Sequence, residues 1–217
     1  GYTFLNWSGD LTSSSNPDSV TMSTNRDLTA HFEESAGTTI DIPVIQGDDD
    51  AEERAGGSIA LGSNDLELVE DTTIQTVGLR FQNITIPQGA TIQAAHVTFH
   101  VDTVLSGDTN LTFHAQDAAN PIEFEDVDGN ITNRTRTAAS VDWLDVPAWT
   151  TVHAAYDTPD LASIVQAVVD RGDWASGNAL VIIVSGSGRR EAESYNGAVG
   201  HNDLSLAPTL HITYTGP

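Results

Sequence analysis

The run "VIIV" at 181–184, inside "ALVIIVSG" (179–186), shows no alternation of apolar and polar residues. A strand of this kind turns apolar side chains to both faces of its sheet, so it reads as a central strand covered on both sides. Three further runs, "IQAAHVTFHV" (92–101), "LTFHAQ" (111–116) and "LHITYT" (210–215), are short, rich in β-branched and aromatic residues, and bounded by Gly, Asn, Asp or Pro. Alternation is clearest in "HVTFHV", where Val97, Phe99 and Val101 share one face. One segment breaks the pattern. "TPDLASIVQAVVDRGDW" (158–174) offers Thr158 as N-cap, Pro159 at the first helical position, Asp160 in the first turn and Gly172 as a stop. Leu161, Ile164, Val165 and Val168 follow helical spacing. Together these signals predict an all-β chain: a jelly-roll-like two-sheet β-sandwich with one amphipathic helix at about 159–170 and a short N-terminal β appendage.

Charge narrows the function. The 217 residues carry 31 Asp and Glu against 8 basic residues, all Arg, for a formal net charge of -23. Phosphate binding needs clustered Lys and Arg, so nucleic acid is an unsuitable partner. Five carboxylates crowd into "GDDDAEE" (47–53): Asp48, Asp49, Asp50, Glu52 and Glu53. Like charges this close repel, so the segment is either a solvated loop, with Arg54, Arg189 and Arg190 as partial counter-ions, or the holder of a cation. Calcium suits such a set because it takes six to eight oxygens from loops and from residues the fold brings in. In "SNDLEL" (63–68), Asp65 and Glu67 alternate with Leu66 and Leu68, and Glu191 and Glu193 flank Ala192 late in the chain. A weaker candidate is "EDVDGN" (125–130), where Asp126, Asp128 and Asn130 alternate as in the start of an EF-hand loop without its distal Glu.

Catalysis and export are read more briefly. Cysteine is absent, which excludes disulfide and thiolate chemistry. No apolar run is long enough to cross a membrane, and the start lacks the pattern of a signal peptide, so the chain reads as a piece of something longer. No carboxylate pair stands out as a separated acid and base, and no Gly-x-Ser-x-Gly elbow or His-Glu-x-x-His is present. His96 and His100 would lie about 13 Å apart on one strand face, too far for a shared zinc ion. His100 and His114 could meet across adjacent strands. A non-enzymatic role is expected.

Residues 1–34 resemble the C-terminal half of an internalin-type B-repeat. The match rests on Gly1, Tyr2, Phe4, Trp7, Ser8, Gly9 and Asp10, then Val20-Thr21-Met22 and Leu28-Thr29-Ala30-His31-Phe32. The resemblance implies a spacer or adhesive repeat of secreted or surface proteins, with Phe4 and Trp7 in its core, and a division into 1–36 and 37–217. The repeat's opening strands are missing, which invites strand pairing with another chain or docking on the main domain. From about residue 40 the chain resembles bacterial extracellular β-sandwich modules related to the DNRLRE type. The carriers are Arg80-Phe81, Ile86-Pro87-Gln88-Gly89-Ala90-Thr91-Ile92-Gln93-Ala94-Ala95, Gly177-Asn178, Ala192-Glu193-Ser194 and Ala207-Pro208-Thr209-Leu210-His211-Ile212-Thr213-Tyr214. This likeness implies a non-catalytic module, some relatives of which bind polysaccharide. In jelly-roll carbohydrate modules an acidic N-terminal segment is often tied to a late strand by structural calcium, and this arrangement is similar.

The expected function is therefore an extracellular, calcium-stabilised module that binds polysaccharide or a surface glycan, with calcium held among Asp48, Asp49, Asp50, Glu52, Glu53, Asp65, Glu67 and Glu193. Sugars stack on aromatic faces and give their hydroxyls to Arg and Asn, which nominates Trp149, Tyr156, Arg189, Arg190, Tyr195 and Asn196. Tyr195-Asn196-Gly197, placed in a turn beside Arg189 and Arg190, is the expected exposed aromatic-basic site. The alternative is a structural or adhesive module that joins chains through its N-terminal strands.

Overall fold

The computed structural model describes residues 2–34 and 36–217. In chain order the strands are β1 (Tyr2–Gly9), β2 (Leu28–Glu34), β3 (Thr38–Pro43), β4 (Asp50–Arg54), β5 (Ile59–Leu61), β6 (Asp65–Leu68), β7 (Gln75–Ile84), β8 (Thr91–Thr103) and β9 (Asn110–Ala115). They continue as β10 (Val141–Trp143), β11 (Ala155–Asp157), β12 (Asn178–Ser187), β13 (Arg190–Glu193) and β14 (Thr209–Thr215). Helix α1 spans Ala162–Val169 and α2 spans Tyr195–Gly200.

Two large antiparallel sheets form a sandwich. One runs β10-β9-β12-β7-β4-β5; the other runs β3-β14-β8-β13-β6, with β11 added to β8. Between them Leu79, Phe81, Phe113, Ile182 and Val184 meet Val97, Phe99, Val101, Leu210 and Ile212, all fully buried. Strand β12 lies between β9 and β7, as its unbroken apolar run predicts. Its other face, Val181 and Ile183, packs into a second cluster with Ala51, Ile59, Phe124 and Ile131. Phe124 covers that cluster from the loop after β9, and burying such a ring stabilises the fold by about 1.5–3 kcal/mol. Two neighbours hold it: the Arg134 guanidinium lies 4.5 Å from its centroid, and Gly78 on β7 leaves room where any Cβ would collide with the ring.

The helix packs on β8 and β9, with Leu161, Ile164, Val165 and Val168 buried as their spacing predicts. It starts later than its sequence signals suggest. Thr158 is drawn to β8 instead of capping, its Oγ1 accepting the Val97 N–H at 3.1 Å. Leu161 occupies the N-cap position without a side-chain cap, and Asp160 just before it accepts from Ala162 N–H at 3.0 Å and also from Ala95 N–H on β8 at 2.9 Å. A second helix replaces the turn expected at 195–197: Ser194 Oγ accepts the Gly197 N–H at 3.0 Å and caps α2. His100 and His114 do not meet, because β8 and β9 belong to different sheets.

Strands β1 and β2 pair with each other in a separate two-stranded sheet. Phe4 sits 5.4 Å from Trp7 and 5.8 Å from Phe32 between ring centroids, a small aromatic cluster on one face of the hairpin. Tyr2 and Phe32 nevertheless stay exposed.

Candidate functional site

The acidic stretch is neither a solvated loop nor a single cation cage. Residues Gly47–Asp49 form a short 3-10 turn, and Asp50 begins β4, which is held between β7 and β5. Asp49, Asp50, Glu52 and Glu53 are all buried, and only Asp48 of the five is exposed. Alternation along β4 sends Asp50 and Glu52 to one face and Glu53 to the other, so the carboxylates cannot converge on one ion.

Each buried carboxylate instead finds its own protein donors. Asp49 accepts from Arg80 at 2.6 Å and from Gln82 at 2.5 Å. Asp50 accepts the Tyr195 N–H at 2.7 Å, and burial pushes its carboxyl up to about 7, with that hydrogen bond opposing the rise and Asp49 adding to it. Glu52 accepts the Glu67 N–H at 2.7 Å and the Gln75 amide at 2.9 Å. Burial and the adjoining Glu67 carboxyl raise its pKa far above the ordinary glutamate range. Glu53 accepts from Ile131 N–H at 2.7 Å, from Thr132 N–H at 2.8 Å and from the Thr132 hydroxyl. These side chains staple the loop over β12 and the start of α2 to strand β4. Asp50, Glu52 and Glu53 use lone pairs on backbone donors that would otherwise be left unpaired inside the protein.

Calcium-type chemistry is better served in the facing sheet. Asp65 on β6, Asp102 on β8 and Glu191 on β13 bring carboxylate oxygens within 4.8 Å of one another. Leu66 and Leu68 point into the core, so Asp65 and Glu67 take the opposite face, as their alternation predicts. Hydroxyls border the group: Ser63 donates to Asp65 at 3.0 Å, and the Thr103 hydroxyl lies 2.9 Å from both Asp102 and Glu191, with one proton to give to either. Burial raises the Glu191 pKa, Thr103 and Arg189 oppose the rise, and Asp65 adds to it. All donors here are oxygens, three of them carboxylates, which fits a hard cation. The sequence signals Glu191 beside Glu193 without placing it in the calcium set and does not signal Asp102 at all, because the meeting of three separate strands creates the group. Glu67 turns to Gln75 at 3.0 Å and lies 3.6 Å from Arg189. Glu193 joins two histidines instead, at 3.1 Å from His153 and 3.2 Å from His201. In "EDVDGN", Asp126 and Asp128 are exposed, while the Asn130 side-chain oxygen accepts from Arg134 at 2.9 Å.

The residues expected to hold sugar do not gather on one surface. Trp149 is fully buried and stacks on Tyr156 with centroids 5.3 Å apart. Arg190 is also buried, its guanidinium satisfied by the carbonyls of Pro147, Arg189, Gly107 and Val146 and by the Thr109 hydroxyl at 2.5–3.0 Å. A fully satisfied buried guanidinium has no donor left for a sugar hydroxyl. Arg189 pairs with Glu191 at 2.8 Å. Tyr195 packs half-buried against the core, and the Asn196 amide lies close to the backbone of Gly47 and Gly62. The expected exposed aromatic-basic turn is therefore a capped helix beside an internal arginine.

Residues 1–36 match the divergent InlB B-repeat domain family, a repeat found in bacterial surface proteins. The match covers the β1–β2 hairpin and supports the B-repeat resemblance; it lends no support to the DNRLRE-type likeness of the residues that follow. No curated protein matches the chain. Among the described residues no helix is long and apolar enough to cross a membrane.

Proposed function

We propose that this chain is a non-catalytic, extracellular module of a bacterial surface protein, acting as a structural or adhesive element whose sandwich is braced by calcium at Asp65, Asp102 and Glu191. The meeting of these three carboxylates from β6, β8 and β13 carries the reading. An ion there would tie the edge strand β6 to the middle of its sheet through oxygen ligands alone. The surface-repeat family of residues 1–36 supports the location, and the two-stranded β1–β2 sheet, with exposed Tyr2 and Phe32, supports assembly with other chains through strand pairing.

Polysaccharide binding is the second reading. A groove of about 460 Å³ lined by Gln116, Asn130, Asn133, Arg134 and Thr135 favours it, since amides and hydroxyls suit sugar hydroxyls. The test begins with thermal unfolding in calcium and then in EDTA, for the native chain and an Asp65→Asn/Glu191→Gln variant. Calcium is expected to raise the melting temperature of the native chain and not of the variant, because an ion that binds only the folded state stabilises it by mass action. A melting curve indifferent to calcium after chelation refutes the metal. Electrophoresis through gels containing soluble polysaccharides separates the two readings: unretarded migration supports the structural role, and retardation abolished by Asn133→Ala supports the second.

A further inference from the structure

Glu193 closes β13 and is fully buried, yet among the described residues neither of its carboxylate oxygens receives a well-aligned hydrogen bond. A buried carboxylate in that state is strongly disfavoured unless a cation faces it. Two imidazoles do face it. His153 Nε2 and His201 Nε2 lie 3.1 and 3.2 Å from the same oxygen, Oε1, and the ligand atoms of all three residues fall within 4.8 Å of one another. Both contacts have hydrogen-bond length without hydrogen-bond alignment. That combination is expected of lone pairs directed at a common ion. Around a tetrahedral zinc ion, with bonds near 2.0–2.2 Å, neighbouring ligand atoms sit about 3.3 Å apart, close to the spacing seen here.

The surroundings fix the backbone that carries both histidines and crowd the Glu193 carboxylate. His153 occupies a left-handed backbone conformation with φ 61° and donates its N–H to Val101 O on β8 at 2.7 Å, which locks its loop against the sheet. His201 follows α2, its N–H bonded to Gly197 O at 2.9 Å. Gly197 itself has no room for a side chain because Glu193 Oε2 and the Asn64 carbonyl occupy the space. The two rings stand nearly perpendicular, with centroids 4.8 Å apart. Both imidazoles remain partly open to solvent, with side-chain exposures of 40% and 46%, so an ion could enter and keep a further ligand such as water.

We propose that His153, Glu193 and His201 form a binding site for a divalent transition-metal ion, zinc being the ion that fits best, which clamps the 149–154 loop and α2 to β13. Two imidazole nitrogens and one carboxylate suit zinc and its neighbours in the first transition row, whereas calcium prefers oxygen. The site adjoins the Asp65–Asp102–Glu191 group through Asp102, whose charge acts on Glu193, but it differs in donor atoms and in the ion it selects.

Calorimetric titration of zinc chloride into EDTA-stripped, desalted full chain tests the proposal, with cobalt(II) absorption as a second readout. The native chain should bind one zinc ion per chain, and cobalt should give the ligand-field bands of a nitrogen-ligated, low-coordinate site. His153→Ala and His201→Ala, both at partly exposed side chains, should weaken zinc by more than about 100-fold, beyond the roughly 10- to 100-fold loss typical of an outer-shell change. His96→Ala, which alters the stacked His96–His211 pair elsewhere, should leave binding intact. Asp65→Asn/Glu191→Gln should also retain zinc, so failure of the calcium site and failure of this one are distinguishable. Absence of zinc binding in the native chain, retention of full affinity in both histidine variants, or loss of binding on His96→Ala would overturn the assignment.

Discussion

Replacing Asp50 with Asn should stabilise the protein at neutral and mildly alkaline pH. Asp50 is almost fully buried, and its folded carboxyl titrates at about 7, while in the unfolded chain it returns to about 3.9. Between those values the folded state holds a proton that the unfolded state has released, so raising the pH favours unfolding. The slope is about 1.4 kcal/mol per pH unit, and the three-unit window sums to about 4 kcal/mol. That is a large share of the roughly 5–15 kcal/mol by which domains are stable. Asn keeps an oxygen to accept the Tyr195 N–H and never ionises. Urea unfolding of both proteins from about pH 4 to pH 8, in chelator, measures the difference. The two should be nearly equally stable at the acid end, and Asp50→Asn should be more stable by up to about 4 kcal/mol at the alkaline end. Parallel profiles would show that Asp50 does not carry its proton into the folded state and would refute the reasoning.

The other packing and polar contacts make sharper demands. Gly78→Ala should lower stability by about 1–3 kcal/mol in urea titrations, because the new methyl meets the Phe124 ring, and Phe124→Leu in the same chain should recover part of the loss. Arg190→Ala should reduce stability by about 3 kcal/mol or more, since it leaves the Gly107, Pro147 and Val146 carbonyls without their donor. Glu53→Ala should cost about 2 kcal/mol and accelerate hydrogen exchange at Ile131 and Thr132 before it affects β12, because their N–H groups lose the carboxylate acceptor.

What was legible in the chain follows from period and composition. The runs at 92–101, 111–116, 179–186 and 210–215 all form strands, and the unalternated "VIIV" is central, because burial on one face or two is written directly into which positions are apolar. The helix was legible in its apolar spacing but not in its start, since Thr158 had two possible uses and β8 took it. The site was much less legible. "GDDDAEE" advertises charge, but whether a carboxylate meets water, a cation or a backbone N–H depends on what packs against it, and here the loop at 131–132, Tyr195 and Glu67 arrive from distant parts of the chain. The aromatic and basic residues nominated for sugar failed to gather for the same reason: a buried arginine and an exposed one look alike until the surrounding carbonyls are placed.

The sequence by itself therefore determined an acidic, cysteine-free β-sandwich with one amphipathic helix and a B-repeat-like β segment at its start, because these rest on local periodicity, turn chemistry and a contiguous motif. Only the tertiary structure decided which polar groups meet. Asp65, Asp102 and Glu191 come from three strands, and His153, Glu193 and His201 from a loop, a strand end and a helix end, separated by tens of residues. Strand pairing and sandwich closure bring such groups within a few ångströms, and no spacing along the chain encodes that approach.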